Sequence, residues 1–123
     1  MGHHLFIHDQ RSLPLRDFDV ALVRHFLIEA ARHLRDEPLA CAISGWQYQG
    51  PGVWVGIDET VLAGHGAAFA KGIEAAEKLG DEISVDYLNR EVQLPGGRWL
   101  KPQATSEVVA LIRGLEEHLH GRT

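Results

Sequence analysis

Histidine titrates nearest neutral pH and is the commonest protein metal ligand. This 123-residue chain carries eight of them. His3, His4 and His8 stand near one end, followed by Asp9, while His118 and His120 stand near the other. On a strand, His4 and His8 project to one face, where paired imidazoles can hold zinc or nickel. No cysteine or carboxylate lies at a recognised ligand interval beside them, so no metal and no cofactor is expected. The plain reading is a solvent-exposed terminus.

Gly64-His65-Gly66 is the second candidate. A glycine-flanked histidine at the start of a helix offers backbone N–H groups to an anion and an imidazole as acid or base. Asp58 and Glu59 lie just upstream, where they can orient the ring. The competing reading is a partly buried imidazole packed where the glycines allow close approach. No phosphate-loop or dinucleotide fingerprint accompanies it, because the Gly50-Pro51-Gly52…Gly56 spacing does not match and joins two strands. Cys41 lies between Ala40 and Ala42, in an apolar run where cysteine acts as a small buried hydrophobe. As the only cysteine it forms no internal disulfide, which agrees with a reducing compartment. Without a Gly-x-Ser-x-Gly elbow either, no catalytic residue is assigned.

The aromatic residues make a different kind of candidate. Trp46, Tyr48 and Trp54 cluster across a Gly50-Pro51-Gly52 turn. Trp46 and Tyr48 share one face of their strand. Trp54 points opposite to Val53, Val55 and Ile57, so if the valines face the core, Trp54 faces solvent or a partner. Tryptophan and tyrosine dominate binding hot spots. The alternative is that the rings fill a second sheet face beneath a helix. The expected binding residues are therefore Trp46, Tyr48, Trp54 and His65.

These residues need a scaffold. Leu5-Phe6-Ile7 reads as a strand, and Arg11 to Arg16, with Pro14, as a loop. Asp17 caps a helix whose apolar positions Val20, Val23, Leu27, Ala30, Ala31 and Leu34 recur at three and four. It should stop near Asp36-Glu37, before Pro38. Ala40 to Gln49 reads as a strand with a bulge at Gly45, and Val53 to Ile57 as its hairpin partner. A second helix follows from the Asp58-Glu59-Thr60 caps to Leu79, with Gly80 ending it. Gly64, Gly66 and Gly72 each cost that helix about 1 kcal/mol relative to alanine, so another backbone should approach closely. Ile83, Val85 and Tyr87 alternate as a strand, residues 91–94 and 98–101 make a small hairpin, and Thr105 or Ser106 caps a last helix. The expected core includes Leu27, Leu34, Ile73, Val85 and Ile112.

The result is one α+β domain over residues 1–123, of order βαββαβ plus a C-terminal hairpin and helix. An antiparallel-rich sheet with helices on one face is the leading architecture, and the order of the first six elements matches a ferredoxin-like core. Hydrophobic residues make up 45% and charged ones 24%, which suits a folded globular chain. Apolar runs are too short to cross a bilayer. The opening residues break off at His8-Asp9 before any cleavage-like site, so no leader is expected and the cytosol is the default location. Twelve basic against seventeen acidic side chains give a net charge of −5, and the basic residues are scattered. That balance disfavours nucleic acid and favours a basic protein partner. The expected function is protein docking, of the kind performed by small toxin-neutralising (immunity-type) or adaptor proteins, with a second copy of the chain as another possible partner. The alternative is a small enzyme or ligand-binding domain with a pocket near His65, Asp58 and Glu59, which would need convergent polar groups in a concave site.

Overall fold

The computed structural model describes residues 3–8 and 11–120, and for 3–8, 11, 12 and 14 the backbone alone. Strands β1 (His3–His8) and β2 (Arg11–Arg16) pair antiparallel, with Leu5 opposite Pro14. The expected loop at 11–16 is thus a strand. Both strands of a two-stranded sheet are edges, where proline is tolerated.

Helix α1 (Asp17–His33) forms as its spacing predicts, and Val20, Val23, Phe26, Leu27, Ala30 and Ala31 are buried along it. The Asp19 carboxylate accepts from the Arg16 backbone N–H at 3.0 Å, closing the first turn. Arg35, in the left-handed region at φ 56°, ends the helix and turns the chain. Leu34 lies at this end and is 39% exposed, contrary to its expected core position.

Residues 40–49 were expected as one strand, but the chain forms helix α2 (Glu37–Ser44) first. The Asp36 carboxylate caps it by accepting from Leu39 N–H at 3.1 Å, and Pro38 falls in the first turn, where a missing N–H is harmless. Asp36-Glu37-Pro38 therefore ends no more than the connection to α1; it starts a helix that buries Leu39 and Ile43, one turn apart. Strands β3 (Gln47–Gly50) and β4 (Val53–Val55) then make the expected hairpin. Its register shifts between Tyr48 and Gly50, so the irregularity sits at Gln49 and not at Gly45. Gly52, at φ 75°, takes a turn conformation that a side chain would strain.

The expected second helix is two: α3 (Glu59–Ala63) and α4 (Gly66–Glu77), broken at Gly64-His65. Asp58 caps α3 as expected, accepting from Val61 N–H at 3.2 Å. The close backbone approach that the glycines implied occurs at Gly72, where an added Cβ would lie 3.3 Å from the Phe26 carbonyl oxygen. α4 can lie this near α1 because position 72 has no side chain.

Strand β5 (Glu82–Ile83) stops where the alternation of 83, 85 and 87 suggested it would continue. Ser84 accepts from Tyr87 N–H at 3.1 Å and caps helix α5 (Val85–Glu91). Val85, in the first turn, is only half-buried, while Leu88 takes the core position. Among the described residues no strand lies between 92 and 102, so the small hairpin expected there is a loop. Strand β6 (Gln103–Ala104) returns to pair with β5, and α6 (Thr105–Leu119) closes the described chain.

The class is α+β with antiparallel pairing, as the sequence indicated. The strands form three separate pairs, β1-β2, β3-β4 and β5-β6, rather than the joined sheet of a ferredoxin-like core. α1 lies at the centre, packing on α2 and α4, and α4 packs on α6. Leu27, Ile73 and Ile112 are buried in this core with Phe26, Phe69 and Leu115. No helix among the described residues is long and apolar enough to cross a membrane.

Candidate functional site

Tyr48 and Trp54 sit directly opposite in the hairpin, and directly opposed residues share a face. Trp54 therefore points inward with Tyr48. It is 8% exposed, while its neighbours Val53 and Val55 are 50% and 42% exposed. The expected orientation is reversed: the valines face out. Trp46 is buried too. The rings of Tyr48 and Trp54 meet edge to face with centroids 5.6 Å apart.

Asp17 fixes this wall. Its carboxylate accepts the Trp54 indole N–H at 3.1 Å and the Gly52 backbone N–H at 3.1 Å. The residue read from sequence as a helix cap thus ties the hairpin to the start of α1. Facing the hairpin, α1 presents Arg24, His25, Ile28 and Arg32, spaced so that they fall on one side of the helix. The end of α5 and the following loop add Glu91, Gln93 and Gly96. These groups enclose a cleft of about 530 Å³.

The electrostatics of the cleft are uneven. Glu29 pairs with Arg32 at 3.4 Å, and Glu91 with Arg90 at 3.2 Å. Arg24 has no carboxylate within 4.0 Å among the described residues. One of its terminal nitrogens donates to the Ser44 carbonyl at the end of α2, at 3.0 Å, while its Nε is buried with no hydrogen-bond acceptor. Burial lowers the pKa of this guanidinium. Beside it, His25 Nε2 and the Tyr87 hydroxyl share a hydrogen bond of 2.9 Å. Burial lowers the His25 pKa, against the pull of Glu29 and Glu91, and raises that of Tyr87, to which the same two carboxylates add. Both groups are held in their neutral forms. The cleft combines an aromatic wall, a neutral histidine and a cation, Arg24, that no carboxylate pairs among the described residues.

His65 lies elsewhere. It is the N-cap residue of α4, and its Nδ1 donates to the Val61 carbonyl at 2.6 Å while Nε2 stands 3.4 Å from an Asp36 oxygen. Asp58 caps α3, and none of His65, Asp58 and Glu59 lines the cleft. Cys41 is on α2 and exposed, not buried in a strand. Asp9 and the side chains of His3, His4 and His8 lie outside the described residues.

A second surface has no counterpart in the sequence reading. In the loop 92–102, the Trp99 indole N–H donates to the Val92 carbonyl at 2.8 Å. Asn89 grips the Trp99 backbone from both sides, accepting its N–H at 2.8 Å and donating to its carbonyl at 3.0 Å. Trp99 is buried against Phe18, yet the next residue, Leu100, is 80% exposed. Arg98 and Lys101 flank it and, with Phe18, Leu94 and Leu111, line a groove of about 850 Å³. The usable signal was Pro95-Gly96-Gly97 beside a tryptophan in a stretch with no periodicity. Comparison with protein-family models, with curated proteins and with solved structures finds no match to this chain.

Proposed function

We propose that this chain is a protein-docking module whose contact is made by the loop carrying Leu100. The observation that supports this reading is the 80% exposure of a leucine on a loop tethered at the adjacent residue. Large apolar side chains gain roughly 1.5–3 kcal/mol from burial, which Leu100 forgoes in the isolated chain. A loop already fixed in place loses little further entropy when a partner covers it. Functional residues concentrate on such loops, held by a rigid scaffold.

Arg98 and Lys101 beside Leu100 call for an apolar socket rimmed by carboxylates. The net charge of −5 acts at longer range and steers the chain toward a partner that is basic overall. Neutralising a toxin by covering its working surface, or joining two proteins as an adaptor, are the two forms of docking that suit a small acidic domain.

A photo-crosslinking residue at position 100, with one at Lys78 as control, tests the proposal in cells of the source. The expected result is an adduct with one protein from position 100 only. Charge reversal of Arg98 and Lys101 should abolish that adduct, and reversing acidic residues at the mapped contact on the partner should restore it. Equal labelling from both positions, insensitivity to charge reversal, or adducts only between two copies of this chain would each overturn it.

A further inference from the structure

We propose that the cleft between α1 and the β3–β4 hairpin is a binding site for a carboxylate carried on a single aromatic ring. This goes beyond the docking reading and rests on different residues. The cleft's volume of about 530 Å³ lies within the range of small-ligand sites.

The cation comes first in the argument. A guanidinium carries five N–H donors and no acceptor, and taking it out of water is unfavourable unless charge or hydrogen bonds replace the lost hydration. Arg24 has one such bond, to the Ser44 carbonyl, and a buried Nε without any. The two acids of the cleft do not compensate, because Glu29 and Glu91 are each already paired with another arginine. His25, driven toward its neutral form, adds no competing positive charge. Of the two arginines that line the cleft, Arg32 is paired with Glu29, and Arg24 has no carboxylate within 4.0 Å among the described residues.

The shape of the ligand follows from the opposite wall. Trp46, Tyr48 and Trp54 provide flat apolar surface, and Asp17 holds the Trp54 indole so that it cannot swing away. Planar rings pack well against such a wall. A carboxylate matches the guanidinium fork better than a point acceptor does. The same chemistry is offered by a free aromatic acid and by a peptide ending in phenylalanine.

Chemical-shift titration of ¹⁵N-labelled protein distinguishes these. The probes are phenylacetate, its neutral isostere phenylacetamide, and the dipeptide acetyl-Gly-Phe with a free carboxylate. Phenylacetate should shift the Trp54 indole N–H saturably, and phenylacetamide should bind at least about tenfold more weakly. Arg24→Gln should remove that difference between acid and amide. The acid–amide comparison needs no variant, so it stands even if Arg24→Gln fails to fold. Tighter binding of phenylacetate assigns the free acid as the source, and tighter binding of the dipeptide assigns a chain end. Equal binding of acid and amide, shifts that do not saturate, or shifts confined to residues outside the cleft would overturn the proposal. Leu100 variants leave these titrations unchanged, so failure of the docking reading and failure of this one are separable.

Discussion

Asp17→Ala should loosen the hairpin from the start of α1. The side chain is only half-buried, but it accepts from two donors that have no other hydrogen-bond partner among the described residues: the Gly52 backbone N–H and the Trp54 indole N–H. A hydrogen bond to a charged group contributes about 1.5–3 kcal/mol, with the lower end fitting a partly solvated acceptor. Gly52 lies near water and can be rehydrated; Trp54 is 8% exposed and its N–H is left without an acceptor. The sum is a loss of about 2–4 kcal/mol, or roughly 6–20 °C in Tm for a domain of this size. Urea denaturation measures it. Asp17→Asn keeps an acceptor but loses the charge and should retain about half of that contribution. In a double-mutant cycle with Trp54→Phe, coupling of about 1 kcal/mol should remain. If Asp17→Ala unfolds within about 0.5 kcal/mol of the parent, or the cycle shows no coupling, the carboxylate does not join hairpin to helix in the way described.

Other outcomes follow from the same packing. Trp54→Ala should cost about 3–5 kcal/mol, by the same amount at every protein concentration in thermal melts, because its cover is internal. Arg35→Gly should raise stability by about 0.5–1 kcal/mol in chemical denaturation, since glycine takes the left-handed conformation without Cβ strain. Burial depresses the His25 pKa, so the unfolded chain binds a proton that the folded one resists. Stability from this group is complete above the ordinary histidine pKa of about 6.5 and is lost as pH falls below it, and His25→Gln should flatten that part of the pH–stability curve.

The elements that the sequence displayed plainly are those whose local signals agree with their tertiary setting. α1 has an acidic first turn and a wide apolar face, α6 has a single stripe, and the Gly50-Pro51-Gly52 turn sets a hairpin. Gly72 was legible as a contact because nothing else justified a glycine inside a helix. Two helices were hidden by ambiguous signals. Pro38 marks both the end of one helix and the first turn of the next, and Asp36 as its cap decides between them. Ser84 likewise caps α5 inside a segment that alternates like a strand. The aromatic cluster was legible as a cluster, but its direction was not. Alternation alone suggests that the valines point inward, and the pairing of Tyr48 with Trp54 shows that they point out. Arg24 gave no sequence signal at all. Its significance depends on which carboxylates lie near it, and those are engaged by Arg32 and Arg90.

The placement of the tryptophans has a practical consequence. Trp46 and Trp54 sit in the cleft wall and Trp99 anchors the loop, and all three are buried. Indole emission moves to longer wavelength when water reaches the ring, so the folded chain should emit toward the blue and shift on unfolding. Because the rings serve two different regions, Trp99→Phe leaves a protein whose fluorescence reports the cleft alone. The Trp46→Phe, Trp54→Phe pair leaves one that reports only the loop. The chain thus carries two native optical probes, and opening of the loop and opening of the hairpin can be followed as separate events without any added label.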